Sequence, residues 1–166
     1  MTQTQSDEQL AFRKALGNYP TGVTVVTTFT EANEPIGMTV NSFASVSLDP
    51  LLILWSIDKK SKAYDIYTKA EKFAVNILAS DQGDICNLFA SKEQDRFSKI
   101  EWSTSKQTLP IIANTLSVLE CETAQQIDGG DHTIFIGRVV NIENSDKNPL
   151  LYHRRSIGEI PASFYE

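Results

Sequence analysis

Between residues 38 and 47 the run MTVNSFASVS sets Thr39, Asn41, Ser42, Ser45 and Ser47 inside a stretch otherwise suited to a β-strand. Small hydroxyl and amide side chains let a flat polar ligand approach the backbone and offer donors and acceptors along its edge. One solvated face of a strand would show the same pattern. Ser61-Lys62 falls at an expected helix start, where free amides, the positive dipole end, a hydroxyl and an ammonium together suit a phosphate. A structural cap is the competing role for Ser61. Arg96-Phe97 follows Glu93 and Asp95, and an arginine beside an aromatic can hold a phosphate or stack on a ring, or form a local ion pair. His132, preceded by Gly129-Gly130-Asp131, stands at the mouth of an expected hairpin, where an imidazole can donate to a ligand, titrate near neutral pH or sit exposed on the turn.

The familiar chemical motifs are missing. The 166 residues contain no GxGxxG, no GxxxxGK[ST], no GxSxG and no HExxH, so dinucleotide-fold, P-loop and common hydrolase readings have no support. Two histidines are too few for a His-rich metal site, and Cys86 and Cys121 show no CxxC spacing, so both are expected as free thiols. Lys and Arg number 15 against 21 Asp and Glu, a formal charge of −6 with no basic cluster. Nucleic acid and anionic membrane surfaces are therefore not expected partners. The polar start, residues 1–9, lacks a secretory pattern, and no apolar run reaches the ~20 residues of a membrane helix. A single cytoplasmic domain over residues 1–166, with an N-terminal tail 1–6, is the expectation.

The elements that must position these side chains follow from local patterning. Ser6 to Gln9 forms a capping box before a short helix, with Gly17 at an expected left-handed C-terminal cap. GVTVVTTFT and IGMTVNSF flank the polar loop 31–35 as a hairpin, and LLILWSI at 51–57 reads as a strand covered on both faces. Helical spacing follows at 58–70, a strand at 73–78 and a helix at 80–91, then a long excursion at 92–115. Strands at 116–127 and 132–143 meet across Gly129-Gly130. Mainly antiparallel strands with two or three short helices predict a mainly β fold, a β-barrel with helical insertions, rather than a doubly wound parallel sheet.

The fragments YPTGVTVVTT, GMTVNSFASVSLDP, FAVNILASDQ, LFASKEQDRF, LECETAQQIDGGDHTIFIGRV and PLLYHRR, in this order over residues 12–154, carry a resemblance. Together they resemble the flavin reductase-like family of short-chain NAD(P)H:flavin oxidoreductases. That resemblance implies an FMN-binding split barrel, Greek-key-like, that takes FMN or FAD and uses NADH or NADPH as hydride donor. It lays Thr39, Val40, Asn41, Ser42 and Ser45 along the flavin ring, with Trp55 and Ser56 on the adjoining strand, and puts Ser61 and Lys62 at the phosphate. Ala79 and Gln82 flank the flavin, and Arg96 and Phe97 lie near the phosphate or nucleotide tail. His132 becomes the catalytic position beside nicotinamide and flavin, with Tyr152 and Arg154 close to the pyridine nucleotide. A homodimer is implied, with reduced flavin diffusing to a flavin-dependent monooxygenase. Rival readings are a flavoprotein electron carrier that does not use NAD(P)H, and a non-catalytic flavin- or haem-binding barrel.

Overall fold

The computed structural model describes residues 6–165; of the expected tail, residues 1–5 lie outside the described residues. Helix α1, Asp7–Gly17, starts on the capping box: Ser6 accepts from the Gln9 amide while the Gln9 side chain returns to the Ser6 amide. The expected left-handed cap at Gly17 does not form. Asn18 ends the helix in a right-handed conformation, its N–H bonded to the carbonyls of Ala15 and Leu16.

Among the described residues, twelve strands and three α-helices follow the barrel expectation. Strands β1 (Thr21–Gly22), β2 (Thr24–Phe29), β3 (Pro35–Val40), β4 (Ala44–Leu48) and β5 (Leu51–Asp58) precede helix α2 (Tyr64–Lys69). After β6 (Lys72–Ile77) come helix α3 (Gly83–Ala90), β7 (Trp102–Thr104), β8 (Pro110–Ile112), the long pair β9 (Ser117–Gly129) and β10 (His132–Asn144), then β11 (Leu150–His153) and β12 (Ser156–Glu159). The main sheet is antiparallel throughout, in the order β3-β2-β6-β9-β10-β5-β4.

This sheet curls on itself. Ile36, Met38 and Val40 from edge strand β3 pack on the same core as Ile53, Trp55 and Ile57 of β5 and Phe135 of β10, from the other end of the strand order. No ladder joins β3 to β4 among the described residues, so the barrel stays split between them. Two register shifts between β9 and β10 help bend the longest strands. At Gly137 an added Cβ would stand 3.1 Å from Cys121 Cβ and closer still to the Phe73 ring, so only glycine permits this packing.

Trp55 is wholly buried, stacked on Phe135 at 4.8 Å between ring centroids and met edge-on by Tyr67 and Phe73. A second core gathers Val23, Leu78, Cys86, Phe89, Phe97 and Leu150 beneath α3. Gly37 lets that helix approach, since a Cβ there would lie 2.7 Å from the Phe89 ring. The excursion over 92–115 is pinned by buried Asn76, whose amide donates to the Val25 carbonyl and Thr27 hydroxyl while its oxygen accepts from the Ile112 amide.

Two local expectations change. The helix expected over 58–70 shortens to α2, and its N-cap is Ala63 rather than Ser61. Strand β5 was expected to be covered on both faces, but burial alternates: Ile53, Trp55 and Ile57 point inward, and Leu52, Leu54 and Ser56 are half-buried outward.

Candidate functional site

Alternation along β5 decides what can form a site. With Trp55 and Ile57 inward, Ser56 and Asp58 face out. Directly opposed residues of antiparallel strands share a face, so the pairs Ser56–Ile134 and Asp58–His132 put His132 on the face of Ser56, two residues or about 7 Å along the strand. The Ser42 hydroxyl accepts from the Ser56 amide at 3.0 Å and donates to the Ser56 carbonyl at 3.2 Å, which ties segment 41–43 to β5. The turn after β5 reaches β3 through Ser61, whose hydroxyl contacts Met38 Sδ at 3.9 Å and accepts from the Ala63 amide at 3.3 Å. Asn41, Ser42, Ser56, Ser61, Lys62 and His132 thus belong to one region around the C-terminal end of β5. The side chains of Asn41, Ser56 and Lys62 make no hydrogen bond or ion pair among the described residues, so their donors are uncommitted.

Other residues singled out in the sequence are used internally. Thr39 points to α3 and donates to the Cys86 carbonyl at 2.8 Å, whereas Val40 packs on the main core. Ser45 pairs with inward Ile53, so it follows the opposite parity from Ser56, although it is exposed on the edge strand. The buried Trp55 indole offers nothing to the outer face, and only its backbone reaches there. Gln82 is fully engaged: its oxygen accepts from the Ala79 amide at 3.0 Å and its nitrogen donates to the Ala113 carbonyl at 2.9 Å. Arg96 donates to the Phe89 carbonyl at 2.9 Å with its guanidinium over the Phe89 ring, and Phe97 is buried edge-on between Phe89 and Trp102. Ala79 is buried and bridges to Pro149.

Tyr152 pairs with Thr21 and packs on the α3 core, while Arg154, at φ 49°, donates to Asn18 Oδ1 at 2.9 Å. An added Cβ at Gly83 would meet Ile157 at 2.9 Å, so β12 lies across the start of α3. This second group adjoins the first through the Thr39–Cys86 bond.

The hairpin carrying His132 is the most tightly restrained part of the region. Gly130 turns the chain at φ 83°. Lys59 Nζ donates at 2.6 Å both to Asp128 Oδ2 and to the Gly130 carbonyl, and the Lys59 amide donates to the Asp131 carbonyl at 3.0 Å. Asp128 Oδ1 accepts from the Gly130 amide at 3.1 Å. The Asp128 hydrogen bond raises the Lys59 ammonium above its ordinary value, and in return the Lys59 bond, then that of Gly130, holds Asp128 below the usual carboxylate range. Asp131 Oδ1 lies 2.7 Å from His132 Nδ1, and that bond lowers Asp131 as well. Lys59, Asp128 and Asp131 were not singled out in the sequence. Asp131 could have been, as a carboxylate adjacent to the candidate histidine; Lys59 and Asp128 stand 69 positions apart and meet only through register.

Residues 16–161 match the family model described as flavin reductase like domain, and the chain belongs to that family. It is 46% identical over 142 residues to the reductase component of the flavin-dependent trigonelline monooxygenase of Acinetobacter baylyi, covering 86% of this chain and 46% of that protein. The chain thus spans about half the length of that curated relative. Against the FMN reductase (NADH) SmoA of Agrobacterium fabrum it is 43% identical over 148 residues, covering 89% of this chain and 84% of the relative. The solved structure of the Streptomyces globisporus NADH:FAD oxidoreductase SgcE6, in complex with NAD and FAD fragments, superposes with a TM-score of 0.89 at 32% identity, over 97% of this chain and 98% of that one.

Proposed function

We propose that this chain reduces FMN or FAD with NADH or NADPH and releases the reduced flavin to a flavin-dependent monooxygenase. The observation that carries this reading is the shared face of Ser56 and His132, bordered by the uncommitted donors of Asn41 and Lys62. The donor set fits a flavin: amide and hydroxyl groups for the polar edge of a ring, and an ammonium for a phosphate. When bound, the flavin supplies the hydride acceptor and the pyridine nucleotide the hydride.

The protein's share is binding and orientation. Ser42 fixes the 41–43 segment against Ser56, so that Asn41 is presented from a restrained backbone. Lys62 neutralises phosphate charge, and His132 orients the nicotinamide. Tyr152 and Arg154 serve the nucleotide from the neighbouring group, where Arg154 holds a cation at the tip of the β11–β12 turn.

A second copy of the chain is expected to cover the exposed apolar side chains of the β4 edge and the sheet beside it. Leu48 is 89% exposed and Val46 47%, with Leu51, Val140 and Ile142 also exposed. Among the described residues no helix is long and apolar enough to cross a membrane. Cys86 and Cys121 are free and buried, which agrees with a reducing, cytoplasmic setting.

Purified protein with either flavin should oxidise NADH or NADPH catalytically and pass the electrons to an added acceptor. Flavin binding without nucleotide oxidation would identify an electron carrier or a ligand-binding barrel instead.

A further inference from the structure

We propose that Asp131 is the positioning residue for His132: its carboxylate accepts a hydrogen bond from Nδ1–H, holding the proton there, and leaves Nε2 as a bare hydrogen-bond acceptor for the carboxamide N–H of a nicotinamide. This rests on the reductase reading for the identity of the ligand, but not for the state of the ring.

An ionised carboxylate can only accept, so the 2.7 Å contact between Asp131 Oδ1 and His132 Nδ1 requires the proton on Nδ1. In the neutral imidazole the other nitrogen then carries a lone pair. His132 Nε2 has no hydrogen-bond partner among the described residues. A free histidine side chain favours the opposite tautomer, with the proton on Nε2, so the arrangement has to be imposed by the protein.

A lone exposed carboxylate would do this poorly, because the Asp131 side chain is 84% accessible and an unrestrained surface pair holds little fixed geometry. Here the backbone on both sides of it is anchored. Lys59 bonds the Gly130 carbonyl through Nζ and the Asp131 carbonyl through its amide, and Asp128 secures both Lys59 and the Gly130 amide. The remaining acid near the ring, Asp58, sits across the strand pair from His132, and its Oδ1 is occupied by the Lys60 amide at 2.7 Å. Asp131 is thus the acceptor placed on Nδ1. Lys59 and Lys60 are the cations near it, and neither is bonded to its carboxylate.

The test reads the tautomer directly. Nitrogen-15 NMR of the imidazoles, with His153→Gln used to assign the second histidine, should show His132 protonated on Nδ1 in the native chain. Asp131→Ala should shift the proton toward Nε2 and lower kcat for NADH on the order of tenfold, with flavin affinity unchanged. Asp131→Asn keeps the shape but can donate its amide N–H to Nδ1, so it should leave the Nδ1 proton unenforced and kcat lowered. Protonation on Nε2 in the native chain, or an unchanged tautomer in Asp131→Ala, overturns the positioning role. A shifted tautomer with unchanged kcat overturns the assignment of Nε2 to the nicotinamide. Failure of the native protein to oxidise either nucleotide would refute the reductase reading and with it the nicotinamide assignment, while the NMR result still decides whether Asp131 sets the ring.

Discussion

Ser42 and Ser56 are joined twice, the hydroxyl of the first bonding both the amide and the carbonyl of the second. One side chain thereby closes the gap between the end of β3 and the C-terminal part of β5, where no strand ladder among the described residues does so. Removing it should be felt both in stability and at the candidate site. Ser42→Ala is expected to cost about 1–2 kcal/mol in urea unfolding, the scale of two modest hydrogen bonds, and to weaken flavin binding as segment 41–43 loosens.

The Lys62 side chain makes no hydrogen bond or ion pair among the described residues and is exposed. Lys62→Ala should therefore leave the unfolding midpoint in place while weakening flavin binding by about 1–2 kcal/mol, roughly five- to thirtyfold in Kd. Fluorescence titration of the flavin checks this, and the native affinity should fall with added salt while that of the variant falls less. An unchanged Kd would remove Lys62 from the phosphate site.

Asn76 of β6 ties β2 and β8, the latter within the excursion, together from inside the core. Asn76→Ala would leave the Ile112 amide without its acceptor inside the core, at about 1–3 kcal/mol. Thermal or urea unfolding reads the loss directly. Because Thr27 also donates to the Pro110 carbonyl, the 110–112 segment should become susceptible to protease first.

The Lys59–Asp128 clamp sets a pH window for the hairpin. Asp128 is lowered from its ordinary 3.8, so its contribution is complete above that value and is lost as the pH falls through the depressed one. Lys59 is raised from its ordinary 10.5, so its contribution is complete below 10.5 and is lost as the pH rises through the higher value. Between these limits protection of the Gly130 amide from hydrogen exchange, corrected for intrinsic rates, should be flat. It should collapse in strong acid and in strong base, and across the whole range in Lys59→Ala.

Much of this architecture was readable from side-chain type. β-Branched runs marked β2 and β6, and Gly129-Gly130 marked the β9–β10 hairpin. Strand β12 escaped, and β4 was not separated from the strand before it, because most of their residues are exposed and burial imposes no alternation for a pattern to reveal. Within the candidate site the residue types were legible and their directions were not. Trp55 and Ser56 are neighbours in sequence, yet the pleat sends one into the core and the other to the outer face, and only the register with β10 shows which. Gln82, Arg96 and Phe97 look like ligand groups by type, but each is held by partners in or around the second core. The hydrogen bond from Thr39 to Cys86 spans 47 positions and has no local signature.

The most direct measurement is an anaerobic mixing experiment in which native protein and His132→Ala, each loaded with FMN or FAD, meet NADH or NADPH while the yellow flavin absorbance is followed. Bleaching is expected to be fast with the native protein and much slower with His132→Ala, at similar flavin affinity. Flavin that binds and keeps its colour in the native protein, with either nucleotide, would contradict a hydride-transferring reductase.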